Sequence, residues 1–102
     1  MTAPSENQLL RHIRASARDS ANVSWTTHAE LQMHRRRLNR VMALEVLRAG
    51  VFSRPPEPDI RHPGVKCRMQ RVVAGVEVAV VVAVEFPATE LLVITVIDVR
   101  GA

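Results

Sequence analysis

The chain is predicted to be one α+β domain, with two to three N-terminal helices packed on a curved antiparallel sheet of three to four strands. Three observations predict this. Apolar residues recur at helical spacing before Gly50 and alternate with polar ones after Val65. The later apolar segments are separated by only a few turn residues, which leaves no room for a crossover and makes consecutive strands antiparallel. The length, 102 residues, suffices for one core and hardly for two.

Residues 1–4 are expected to form a frayed tail, and residues 5–102 the domain. Ser5 followed by Gln8 has the form of a capping box. Leu9, Leu10, Ile13 and Ala17 then repeat at helical spacing, which predicts a helix from about Glu6 to Arg18. Asp19–Asn22 is a polar turn, and Val23-Ser24-Trp25 a short extended piece. Thr26 or Thr27 can cap a second helix, His28 to about Arg36, whose inner side holds Ala29 and Met33. Asn39 caps a third, Arg40–Ala49, with its period in Val41, Leu44, Leu47 and Arg48. Gly50 stands where a left-handed helix terminator belongs.

Val51–Arg54 is extended, and three prolines at 55, 56 and 58 open a loop that runs to Gly64. Over Val65–Val73, residues Val65, Cys67, Met69 and Val73 point one way, and Lys66, Arg68 and Gln70 the other. Ala74-Gly75 marks a turn. In Val76–Phe86 the even-numbered residues make one apolar face, and Ala79, Val81 and Ala83 make a second. Such a strand is covered on both sides or paired in an oligomer. After Pro87–Glu90, Leu91–Val99 is the last strand.

Composition narrows the function classes. The net charge is +4, and thirteen of the 14 basic residues are Arg, a fork-shaped cation suited to phosphates and carboxylates. The same excess also follows from biased composition alone. Aromatics are limited to Trp25, Phe52 and Phe86, which argues against a single-strand binder that stacks bases. The lone Cys67 excludes an internal disulfide and fits a reducing, cytoplasmic compartment. Its place on the apolar side of a strand marks it as core filler. No apolar run is long enough to span a bilayer, so no membrane association is expected.

The densest polar cluster is Thr27–Arg37. A His near a helix N-terminus loses proton affinity to the dipole, so His28 is a candidate general base. An Arg on a neighbouring row can hold a phosphate and stabilise its developing charge. Metal-independent RNA cleavage needs that pair. The plainer alternative is a solvated helix face on which His28 satisfies a local hydrogen bond. Arg35-Arg36-Arg37 with Arg40 forms a basic knot that can contact phosphates without reading sequence. Metal ligation is not expected: His28 and His34 do not share a helix face, Cys67 is alone, and His62 has only Asp59 beside it. No cofactor motif is present.

The block Trp25-Thr26-Thr27-His28-Ala29, then Gln32-Met33, Arg36 and Leu38, then Val46-Leu47-Arg48-Ala49-Gly50, resembles the bacterial family called domain of unknown function 4258. A later Val93-Ile94-Thr95-Val96 resembles that family's closing strand. The similarity spans roughly residues 23–99. It implies a relative of the RelE/ParE and BrnT toxins within a barnase-like fold group, with ribonuclease activity held in check by an antitoxin. His28 and Arg36 match the family's polar positions. Gln32 stands where the pattern has its first Arg, and Arg35 is the nearest substitute.

Two readings follow. The first is a toxin-like ribonuclease, with His28 as base, Arg36 as phosphate clamp, and Arg35, Arg37, Arg40, Lys66 and Arg68 as substrate contacts. The second is a non-catalytic phage or mobile-element module that binds nucleic acid or an acidic protein such as an antitoxin. The apolar strands also offer a homodimer surface, or an exposed edge for a purely structural subunit.

Overall fold

A computed structural model describes residues 3–101. Ala3 and Pro4 lead irregularly into the first helix, and the remainder of the expected tail lies outside the described residues. Three helices come first: α1 (Glu6–Ser16), α2 (Thr27–Arg36) and α3 (Arg40–Ala49). The strands are β1 (Val23–Trp25), β2 (Val51–Phe52), β3 (Glu57–Pro58), β4 (Val65–Val73), β5 (Val76–Val84) and β6 (Leu91–Asp98).

Each helix starts where a side chain can satisfy its free N–H groups. Ser5 accepts from the Gln8 amide, while its own amide donates to the Gln8 side chain. Thr26 accepts from the Ala29 amide, and Asn39 from the Met42 amide. The helix ends were less legible. α1 stops at Ser16, two residues early, in a turn that leads to a short 3₁₀ segment at Ser20–Asn22. α2 ends on Arg37, whose backbone is left-handed (φ 56°) so that the Leu38 amide can reach the Met33 carbonyl at 2.8 Å. Gly50 is not left-handed; it is extended at φ −76°. Glycine is needed there for closeness, because a Cβ would lie 2.5 Å from the Val46 carbonyl oxygen.

The sheet has six strands in the order β1-β6-β5-β4-β2, with β3 also paired to β4. The β4–β5 and β5–β6 pairs are antiparallel hairpins, as expected. The sheet as a whole is mixed, however, because β1 lies parallel to β6, Val23 opposite Leu91. A three-residue strand pairing with one almost seventy positions later leaves no local trace in the sequence. β5 is flanked on both sides, so the Val-rich strand offers no free edge, contrary to the structural-subunit expectation.

All three helices cover one face of the sheet. Leu9, Ile13, Ala29, Met33, Ala43, Val46 and Leu47 interlock with Cys67, Met69, Val78, Val80, Val82, Val84, Leu91, Val93 and Val96 in one core. α3 is turned relative to the expected phase. Its inner stripe is Ala43, Val46 and Leu47, at i, i+3 and i+4, while Val41 faces solvent. The small Ala43 lets the helix approach the sheet closely.

Much of the arginine excess is structural. Arg14 donates twice to the Gly50 carbonyl, at 2.7 and 3.2 Å, and Arg71 donates to Ala49, both at the C-terminus of α3. Arg48 donates to the Ala17 carbonyl at 2.7 Å, just past α1. Cations at helix C-termini satisfy orphan carbonyls and complement the dipole. No helix among the described residues is long and apolar enough to cross a membrane.

Candidate functional site

The face of the sheet away from the helices carries a groove of about 580 Å³. Its shape follows from the strand register. On β5 the outward residues are short: Ala79, Val81 and Ala83. On β4 their partners are long: Gln70 opposite Ala79, Arg68 opposite Val81, and Lys66 opposite Ala83. On β6 the Val81 row continues into Thr95 and the Ala79 row into Ile97. A shallow floor between tall neighbours is a trough.

A register shift deepens the far wall. Between Val81 and Val82 the β6 partner jumps from Thr95 to Val93, which leaves Ile94 bulged. Ile94 and Thr95 therefore both line the groove. The bulge is held from outside: Thr26 donates its hydroxyl to the Ile94 carbonyl at 2.8 Å and its amide to Val93 at 3.0 Å. The near wall is the proline loop, which contributes Arg54, Pro55, Pro56 and Glu57. It is tied down by the Ser53 amide donating to the Arg68 carbonyl at 2.9 Å and by the Glu57–Lys66 strand pair.

The groove is electropositive. It holds Arg54, Lys66 and Arg68 against a single carboxylate, Glu57. Glu57 pairs with Lys66 at 3.3 Å, so Arg54 and Arg68 have no carboxylate partner among the described residues. Arg68 Nε is shielded from solvent and has no hydrogen-bond partner. A buried donor left unsatisfied costs roughly 1–3 kcal/mol, so such a group gains from any partner that reaches it. Apart from Thr95, the remaining lining is aliphatic.

The same sheet face changes sign further along the strands. A second hollow of about 230 Å³ is lined by Ala83 and Leu92 and flanked by His62, Glu85 and Glu90. His62 is held by Asp59 at 2.9 Å. The Arg61 amide and the His62 ring, both donating to Asp59, keep that carboxyl below the usual carboxylate range.

The residues expected to act divide into two groups. Lys66 and Arg68 line the groove. His28, Arg35, Arg36, Arg37 and Arg40 do not; they lie on α2, at its C-cap or at the start of α3, and all are exposed. His28 and Arg36 stand eight residues apart, hence about 12 Å along the axis and about 80° around it. No hollow among those described joins them. Arg36 donates instead to the Gly101 carbonyl at 3.0 Å. Arg40 pairs with Glu30 and lies over Trp25, 5.3 Å from the ring centre. Arg37 closes the helix. Adjacency in sequence made a basic knot, but the Arg36 and Arg40 side chains take separate partners. Cys67 is fully buried, and that burial pushes its thiol up to about 12, which removes it as a nucleophile. Among the described residues no three His, Cys, Asp or Glu side chains are placed to hold a metal ion.

Arg54 and Thr95 were missed in the sequence. The alternation of Thr95 with Val96 and Ile97 was visible, but the bulge that brings Ile94 in beside Thr95 was not. Compared with family models, curated proteins and solved structures, the chain matches none.

Proposed function

We propose that this protein is a small recognition module that binds an anionic ligand in the groove on the helix-free face of its sheet. The supporting observation is Arg68: a guanidinium set in an apolar trough, its Nε without a partner, beside Lys66 and the carboxylate-free Arg54. Charge-assisted hydrogen bonds to a ligand carboxylate or phosphate would satisfy it and are roughly twice as strong as neutral ones. The groove offers no histidine, and its one carboxylate is engaged by Lys66, so it suits holding an anion better than transferring protons.

Fluorescence anisotropy with labelled oligoglutamate and labelled oligouridylate tests the reading. Arg68→Met is expected to weaken binding of the preferred anion about ten-fold or more, the equivalent of one charged hydrogen bond. His28→Ala is expected to leave it unchanged. Equal affinity of wild type and Arg68→Met for both probes would remove the groove from function. The toxin-like ribonuclease reading, which the family resemblance supports, has its own arm. RNA shortened by wild type and spared by His28→Ala would return the chemistry to α2.

A further inference from the structure

We infer that the groove's occupant is an acidic, amphipathic segment of a partner protein and not a nucleic-acid backbone; the inference rests on the anion-groove reading above. Three features of the lining point there. First, apart from Thr95 the floor and far wall are aliphatic, with Val81, Ile94 and Ile97 half-buried and unpaired with any helix. Apolar side chains of a ligand gain by covering them, at about 25 cal/mol per Å² removed from water. Nucleotides would gain far less, because no aromatic ring lines the groove to stack a base.

Second, the cations stand on one wall. Lys66 and Arg68 are two residues apart on β4, about 7 Å, with Arg54 arching from the loop above. A peptide presents carboxylates along one edge and aliphatic groups along the other at that same repeat. Carboxylates would face β4 while Leu, Ile or Val side chains settle over β5 and β6. Third, the face becomes acidic beyond Ala83, where Glu85 and Glu90 flank the next hollow. A phosphate backbone continuing along the strands would run into those carboxylates. A peptide whose acidic stretch is short need not, and a basic residue at that end would find partners there.

The test compares three probes of equal charge on the 102-residue chain: acetylated octapeptides alternating Leu with Glu, or Ser with Glu, and an oligouridylate trimmed to the same charge. The Leu–Glu peptide is expected to bind at least ten-fold more tightly than either of the others. That preference should vanish in Ile94→Ser, and binding itself should weaken in Arg68→Met and in Arg54→Ala, each checked for native circular dichroism. Equal affinity for the Leu–Glu and Ser–Glu peptides, still sensitive to Arg68→Met, would overturn the amphipathic partner and keep the anion groove. Tighter binding of oligouridylate would assign the groove to nucleic acid. Sedimentation showing a dimer that Ile94→Ser dissolves would assign it to a second copy of this chain. Binding indifferent to both arginine variants would overturn this inference and the function it rests on.

Discussion

Arg68 stands directly opposite Val81 in the β4–β5 ladder, so a long cationic side chain of one strand borders the short aliphatic floor of the next. This relation makes the groove, and it is expensive. The Arg68 Nε sits out of solvent without a partner, a state that removal of the guanidinium relieves.

Arg68→Met is therefore expected to leave stability unchanged or raise it by up to about 1 kcal/mol while ligand binding falls. Urea denaturation of the two proteins checks the first half. A loss of more than about 2 kcal/mol would mean that Arg68 serves the fold and not a ligand.

Cys67 is expected to be inert in the native state. Its thiol is pushed up to about 12 by burial between the sheet and the helices, so almost no thiolate exists at neutral pH. Ellman's reagent should react at a rate that follows global unfolding, and at once in denaturant. Fast reaction of the folded protein would show the core is open at β4.

Among the described residues, two non-glycines are left-handed, Arg37 (φ 56°) and Ala74 (φ 50°). Ala74 and Gly75 form the two-residue turn of the β4–β5 hairpin, a position that favours Asn. Ala74→Asn and Arg37→Gly are each expected to stabilise by about 0.5–1 kcal/mol, read as a rise in Tm. Ligand binding should not change, since neither residue lines the groove.

The Asp59–His62 contact should make the proline loop sensitive to acid. The Asp59 carboxyl is held low chiefly by the Arg61 amide and then by His62. A depressed carboxylate adds stability above its unfolded pKa, and that stability is lost as pH falls through the lower folded value. Protection of the loop amides in hydrogen exchange is thus expected to drop below about pH 4, the unperturbed carboxylate range. Asp59→Asn should abolish that drop; an unchanged profile would contradict the assignment.

Helix starts were legible because capping is local chemistry: Ser5 and Asn39 were identifiable from the few residues that follow them, and Thr26 as one of two candidates with Thr27. The faces of β4 were legible for the same reason, since alternation alone puts Lys66 and Arg68 opposite Cys67 and Met69. What was not legible depends on partners distant in sequence. The parallel β1–β6 pair joins residues 23 and 91, and the bulge at Ile94 is stabilised by Thr26. The second apolar face of β5 was visible, but only its long neighbours on β4 and β6 turn it into a groove. The α2 arginines mislead in the opposite sense. Their proximity along the chain suggested convergence, whereas Arg36 reaches Gly101, Arg37 is the helix cap, and the nearby Arg40 of α3 pairs with Glu30.

Backbone and side-chain NMR shifts during titration with pyrophosphate, a small multivalent anion, test the central claim most directly. The account predicts that the largest changes fall on the Arg54, Lys66, Arg68 and Thr95 amides and the Arg68 Nε–H, and that they disappear in Arg68→Met. Changes centred on His28, Arg35 and Arg36, with the groove silent, would contradict it.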